Sequence, residues 1–121
     1  MRLFRFDKEV GKSIAAYGSQ QFMMSKLLMS KEGMKIHHIG CMHIGPDGLV
    51  GEHPATIDQL FIVVSGEGWV TANHGPRRII KTGQAAFWTS GEVHESGSSE
   101  GMTVIVVEGN GLEPEMPEAE D

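Results

Sequence analysis

The sequence predicts a single all-β domain. Turn signals recur at short, regular spacing, glycine is abundant at 16 of 121 residues, and helical periodicity is scarce. With this length and a hydrophobic content of 40%, the chain can bury one modest core, so no second domain fits. Many short strands of this kind allow two sheets packed as a jelly roll with Greek-key connections.

The predicted strands follow one another between turns rich in glycine and proline. The turns Gly45–Gly48, Ser65–Gly68, Asn73–Pro76 and Ser96–Ser99 supply positive-φ and fixed-φ positions. The segment Phe22–Met29 stays open between a strand and a short helix, because its Phe, Met and Leu side chains could line one side of either. The predicted strands are Leu3–Phe6, Phe22–Leu28, Lys35–Ile44, Leu49–Gly51, Gln59–Val64, Gly68–Ala72, Arg78–Lys81, Ala85–Trp88, His94–Ser96 and Met102–Glu108.

The net charge of −6 is concentrated at the C-terminal end. Five of the 16 acidic residues lie within 109–121, where no Lys or Arg occurs, so the rest of the chain is nearly neutral. Prolines at 114 and 117 and the lack of aromatic residues predict that 109–121 is a disordered acidic tail. Because no Lys or Arg occurs between Lys35 and Arg77, we expect no nucleic-acid partner.

We expect a cytoplasmic protein that does not associate with membranes. The single cysteine, Cys41, excludes an intramolecular disulfide, and the charged stretch Met1–Lys8 is unlike the apolar part of a signal peptide. No apolar run approaches the roughly 20 residues that a membrane-spanning helix needs.

Two glycine-punctuated stretches each place one histidine beside a predicted strand. The first is GEHPATIDQLFIVVSG over 51–66, and the second is GQAAFWTSGEVH over 83–94. Together they resemble the two motifs of the cupin family, small β-barrels in which a His-x-His-x-x-x-Glu cluster and a single His converge on a metal. Over residues 35–108 the resemblance implies a cupin-type jelly-roll β-barrel, also called a double-stranded β-helix. Residues 1–34 are then N-terminal strands that pack on the barrel or on a partner.

The resemblance also implies a metal site with an altered set of ligands. Counting back from Gly66, the family's first His falls on His53, its second His on Ala55 and its Glu on Gln59, while the second motif supplies His94. A divalent ion (Fe, Mn, Ni or Zn) would then be held by His53, Gln59 and His94. The loss of the carboxylate removes the main compensation for a 2+ charge. The alternative is therefore that the two histidines hydrogen-bond a ligand or water without a metal.

Strand alternation predicts which other side chains share the pocket. If His53 points inward, so do Ala55 and then Gln59, Phe61 and Val63. Trp88 either forms an aromatic wall of the pocket or fills the core. His43, on the preceding strand, is a candidate additional ligand.

The alternate row of the same strand is apolar too. Leu60, Ile62 and Val64 would face outward, where an apolar sheet surface needs a cover. The cover is either the N-terminal strands or a second copy of the chain. We therefore expect a homodimer, since isologous dimers are the commonest oligomers.

Two classes of function follow from these features. One is a binding module that holds a small molecule in the barrel, with or without a metal. The other is a metal-dependent enzyme of the dioxygenase or isomerase type, whose general base would be His53, His94 or His43. A structural or regulatory subunit is the third reading, because one fold hosts many functions.

Overall fold

The computed structural model describes residues 1–119, and its regular structure is almost entirely β-strand. Two short 3-10 segments, Lys8–Val10 and Ala16–Gly18, are the helical elements of this described part. Within residues 1–119, no helix has the length and apolar character needed to cross a membrane. The ten strands within residues 1–119 are β1 (Arg2–Arg5), β2 (Lys12–Ser13), β3 (Met23–Met24), β4 (Lys35–Ile44), β5 (Gly48–Pro54), β6 (Asp58–Ala72), β7 (Arg78–Lys81), β8 (Gln84–Trp88), β9 (Val93–Ser98) and β10 (Met102–Asn110).

The strand β6 joins what the sequence predicts as two strands. It continues through Ser65–Gly68, which the sequence analysis assigns to a turn. Gly66 has φ 81, and a Cβ there would meet the carbonyl oxygen of Gly101, so glycine lets the strand bend there without ending. In the segment Phe22–Leu28 only Met23–Met24 forms a strand, paired with β2.

β6 belongs to both sheets of the domain. Its first half pairs with β8 and β10, which gives the order β1-β8-β6-β10-β4. Its second half pairs with β7 and β9, and β5 lies beyond β9. All of these pairs are antiparallel, which confirms the predicted all-β jelly-roll class. Among the described strands, hydrogen bonding is not continuous between β4 and β5, so the barrel is open on that side.

The main core lies between the two sheets. Its central side chains come from the middle strands and are almost completely buried, among them Phe61, Val63, Val70, Ile80, Trp88 and Val104. A second apolar cluster lies on the outer face of the five-stranded sheet and includes Leu60 and Ile62. Burial of both faces explains why β6 is apolar at odd and even positions alike.

The second cluster is covered by the chain itself. Side chains from both ends of the sequence pack over Leu60 and Ile62, namely Phe4, Phe6, Leu27, Leu28, Met34, Leu112 and Met116. Val64, the third member of the predicted outward row, is 44% exposed. The cover is thus supplied within one chain, and the homodimer stays a prediction.

The predicted disordered tail over 109–121 is wrong for the residues that the structure describes. Gly109 and Asn110 extend β10, and Leu112 and Met116 are buried. The backbone of the segment is also tied to the body of the domain. Arg5 N–H donates to Pro117 O at 3.0 Å, and Ala119 N–H donates to Leu3 O at 2.9 Å. Residues 120 and 121 of the predicted tail lie outside the described part of the chain.

Candidate functional site

The two glycine-punctuated motifs are joined by backbone hydrogen bonds at one end of the sandwich. Ala55 N–H donates to Glu92 O at 2.8 Å, and Gly91 N–H donates to Ala55 O at 2.7 Å. Gly91 has φ 94, a left-handed conformation that suits glycine in this turn. The turn is fixed further by the Asp58 carboxylate, which accepts a hydrogen bond from Ser90 N–H at 3.0 Å. These contacts fix the start of β9 and therefore the position of His94.

His53 and His94 are cross-strand neighbours in the β5–β9 pair. Their ring centroids lie 4.4 Å apart, with the ring planes tilted by 58°. His53 Nδ1 lies 2.6 Å from Gly51 O, and His94 Nδ1 lies 3.2 Å from Glu92 O. Because a carbonyl oxygen can only accept, each Nδ1 carries the proton. When an imidazole of this pair is neutral, Nε2 is the nitrogen that keeps the lone pair, and neither Nε2 makes a hydrogen bond within residues 1–119.

His94 sits in an aromatic setting. It is only 3% exposed, and its ring stacks on Trp88 with centroids 4.3 Å apart. Trp88 is itself fixed by an edge contact with Phe61 and by a hydrogen bond from its Nε1 to Thr71 O at 3.0 Å. Burial lowers the pKa of the His94 imidazole from its usual 6.5, and nearby His53 lowers it further, against the opposing effects of the hydrogen bond to Glu92 O and of the Glu92 and Glu108 carboxylates. Burial therefore favours the neutral form of His94.

A polar row crosses the inner face of the other sheet. In register, His38 on β4 lies beside Glu108 on β10, and Glu108 lies beside Gln59 on β6. Gln59 Nε2 donates to Glu108 Oε1 at 2.8 Å. His38 Nδ1 is 3.8 Å from Glu108 Oε2, which makes an ion pair only when the imidazole is protonated. The next position in the row, beyond Gln59, is Trp88.

A small cavity of about 70 Å³ lies between the histidine pair and this row. Its lining comes from both motifs and from β10: His53, Pro54, Ala55, Thr56, Ile57, Gln59, His94 and Glu108. The structure thus brings His53, Gln59, His94 and Ala55 together, as the alternation argument predicts. Their role in holding a metal stays a prediction.

The other predicted pocket residues lie in the core instead of along the cavity. Phe61 and Val63 are buried between the sheets, below the cavity-lining positions of β6. Trp88 is completely buried and reaches the site only through the ring it stacks against His94. It combines the two roles that the sequence analysis treats as alternatives.

His43 does not join the site. It pairs with Thr103 and lies on the opposite face of β4 from Met42, which packs on the core. Its Nε2 is 3.6 Å from the Sγ of exposed Cys41. The prediction that His43 reaches inward as an additional ligand is corrected by strand alternation, because the inward positions of β4 are His38, Gly40, Met42 and Ile44.

Sequence reasoning missed Glu108 and His38. Glu108 continues the inward row of β10 after Met102, Val104 and Val106, all of which are buried. A charged residue that continues an alternating row of apolar residues lies on the same face of the strand as that row. Its side chain is therefore predicted to point toward the interior. His38 could be found in the same way on β4. The motif reading overlooks both because neither residue lies in either motif.

Among residues 1–119, no group of three or more His, Cys, Asp and Glu side chains is placed to hold a metal ion. Glu108 lines the cavity without forming such a group with the two histidines. The potential metal donors that the two motifs supply are the two imidazoles and the Gln59 amide oxygen.

Comparison with known proteins gives structural matches only. No protein-family model matches the chain, and no curated protein matches it significantly. A Thermotoga maritima structure described as a predicted oxalate decarboxylase is 26% identical, with a TM-score of 0.56. That match covers 60% of this chain and 65% of the other, so it spans slightly less than two thirds of that protein.

Two further solved structures match over more of the chain. A conserved protein of unknown function from Streptococcus pyogenes is 18% identical with a TM-score of 0.57, covering 76% of this chain and 77% of the other. A cupin superfamily protein from Desulfitobacterium hafniense is 12% identical with a TM-score of 0.55, covering 74% and 79%. At these sequence identities the two matches show a shared fold and nothing about function.

Proposed function

We propose that this chain, which has the jelly-roll fold of the cupin superfamily, belongs to that superfamily and binds a small ligand in the cavity at His53 and His94. A divalent metal ion is one candidate for that ligand or for part of it. The cavity is small, at about 70 Å³, so it receives an ion or one polar group of a larger molecule.

The observation that carries this proposal is the shared orientation of the two imidazoles. The Nδ1–H of each ring donates a hydrogen bond to the backbone carbonyl two residues earlier in its own strand or turn. In the neutral ring this arrangement fixes the tautomer and leaves the Nε2 lone pair available, as a hydrogen bond at the other ring nitrogen does for metal-ligating histidines. Histidines that only fill space need not have matched tautomers 4.4 Å apart.

The two imidazole nitrogens and the amide oxygen are donor types that bind divalent ions, although the protein supplies only these three from the motifs. His53 and His94 would hold it through nitrogen and Gln59 through its amide oxygen, with water or the ligand in the remaining positions. Such an ion, when bound, would supply Lewis-acid polarisation of a ligand oxygen. Neither imidazole nor the amide carries a negative charge, so we expect weaker binding than in a site with a directly ligating carboxylate.

Binding measurements on His53→Ala test the proposal. His53 is exposed, so its removal should leave the fold intact, whereas buried His94 is a riskier target. The matched control is His74→Ala, which removes an exposed turn histidine paired with Glu52 at 3.0 Å. Metal-stripped proteins are titrated calorimetrically with Ni²⁺, methylammonium and acetate, and the metal content of untagged protein is measured in parallel.

We expect at least one probe to bind the natural chain and the His74→Ala control equally. Binding to His53→Ala should be weaker by about tenfold or more, or about 1.4 kcal/mol. Equal binding to folded His53→Ala would contradict the proposal.

A metal-dependent enzyme is the second candidate function. The specific observation is the 26% identity to the Thermotoga structure described as a predicted oxalate decarboxylase. The dioxygenase and isomerase types predicted from the sequence belong to the same class. Oxalate consumption by metal-loaded protein, compared between the natural chain and His53→Ala, would separate an enzyme from a binding module.

A further inference from the structure

The negative charge that the first motif lacks is present in the cavity on a neighbouring strand. Glu108 occupies the β10 position directly beside Gln59, and both side chains line the cavity. Its carboxylate is held at one oxygen by Gln59 Nε2 at 2.8 Å, and its side chain is 29% exposed. We infer that Glu108 is the charged recognition group of this cavity and makes it selective for small cations.

Gln59 is matched to this carboxylate. An amide can donate to Glu108, whereas a second carboxylate at position 59 would place two negative charges within hydrogen-bond distance. The Gln59 side chain is thus a positioning group for Glu108. Gln59, which stands where the first motif would have a metal-binding Glu, is thus compatible with the charge of Glu108 on β10.

The other side chains of the cavity supply uncharged acceptors. Both imidazoles, when neutral, present an Nε2 lone pair, and the Gln59 amide keeps its oxygen after donating to Glu108. Pro54 has no N–H and Ala55 N–H is used by Glu92 O, whereas Gln59 retains one N–H and Thr56 its hydroxyl. Donors and acceptors are therefore both present, and Glu108 is the group among the lining side chains that brings a negative charge.

The carboxylate of Glu108, among uncharged imidazole and amide acceptors, favours a ligand that carries positive charge. The volume of about 70 Å³ holds roughly two waters, enough for a metal ion or the ammonium end of an amine. A carboxylate ligand would face Glu108 and would need an intervening cation. The shared chemistry is that of a small cation, with a divalent metal and a protonated amine as its two sources.

This inference rests on the proposed ligand-binding function, and Glu108→Gln tests it. The change keeps the shape of the side chain and removes its charge. Glu95→Gln is the matched control, because it removes the same charge on β9 from a position on the other strand face from His94. Metal-stripped proteins are titrated with Ni²⁺, methylammonium and acetate, and circular dichroism verifies folding.

We expect Glu95→Gln to bind Ni²⁺ or methylammonium with the same affinity as the natural chain. Both proteins should bind acetate more weakly than they bind the cation. Glu108→Gln should lose at least tenfold in affinity for the bound cation. Binding of Ni²⁺ alone identifies a metal as the source, and binding of methylammonium alone identifies an amine.

Two results would overturn the inference. One is unchanged cation affinity in folded Glu108→Gln, and the other is acetate binding at least as tight as that of the cations. If that acetate binding is lost in His53→Ala, the proposed cavity function stands while the charge selectivity fails. If none of the three probes binds the natural chain, both fail.

Discussion

Replacing Met116 by alanine should destabilise the domain, although the residue lies in a segment whose composition predicts disorder. Met116 is 6% exposed and packs in the outer apolar cluster with Leu60, Ile62 and Leu112. Truncating a buried Met to Ala costs about 2–5 kcal/mol. The segment lies at the periphery and can relax into the space left, so we expect the low end, about 2 kcal/mol.

Urea denaturation followed by the fluorescence of buried Trp88 measures this effect. For a domain of this size, about 2 kcal/mol corresponds to a fall in Tm of roughly 8 °C. Glu118→Gln is the control in the same segment. It breaks only the exposed ion pair with Arg2, at 2.7 Å, and should cost less than about 1 kcal/mol.

An unfolding free energy of Met116→Ala within about 0.5 kcal/mol of the natural chain would refute the packing of this segment. It would also reopen the question of what covers the outer face of the sheet, because Leu60 and Ile62 would then need another partner. An equal loss in Met116→Ala and Glu118→Gln would likewise contradict the reasoning.

Three further predictions concern stability and assembly. Since the pKa of buried His94 lies below its usual 6.5, the unfolded chain takes up this proton first as pH falls, so the unfolding free energy should decrease as pH falls through about 6.5, and less so in His94→Gln. Gly97→Ala should cost about 1–3 kcal/mol because a Cβ would lie 2.6 Å from Trp69 Cζ2, whereas Gly51→Ala meets no atom within 4 Å and should be nearly neutral by denaturation. Light scattering should report a dimer of twice the 13.2 kDa chain mass, and Ile39→Lys, which changes a residue 62% exposed on edge strand β4, should shift it to monomer; a natural chain that is strictly monomeric contradicts this prediction.

The fold was largely predictable because its signals are local. Glycine and proline turns and runs of β-branched residues located most strands, and β4 has the bounds that the sequence predicts. The continuity of β6 was not predictable, because Gly66 is a turn residue by composition and only the fit against Gly101 makes it a bend within a strand. The order of the C-terminal segment was also hidden. Its average composition is acidic, whereas two buried side chains, Leu112 and Met116, and backbone hydrogen bonds to the N-terminal strand hold it in place.

The candidate site was predictable to the extent that it lies within the motifs. His53, Ala55, Gln59 and His94 follow from motif spacing and alternation, and the structure places all four around one cavity. The periodicity of one strand does not predict which side chain of another strand it will contact. The stacking of Trp88 on His94 could therefore be seen only in the structure.

The charge of the site illustrates why a motif read along one strand is incomplete. In an antiparallel sheet, a residue's nearest partner on the same face is the cross-strand neighbour, which is distant in sequence. The carboxylate expected on β6 is found one strand over, at Glu108, and Gln59 is the residue that holds it there. A motif that lacks a carboxylate on its own strand can therefore still have that charge in the same cavity, supplied by the neighbouring strand. Such a placement keeps the electrostatic preference for a cation without a carboxylate at the motif position, and for that reason ligand selectivity distinguishes this site better than metal affinity alone.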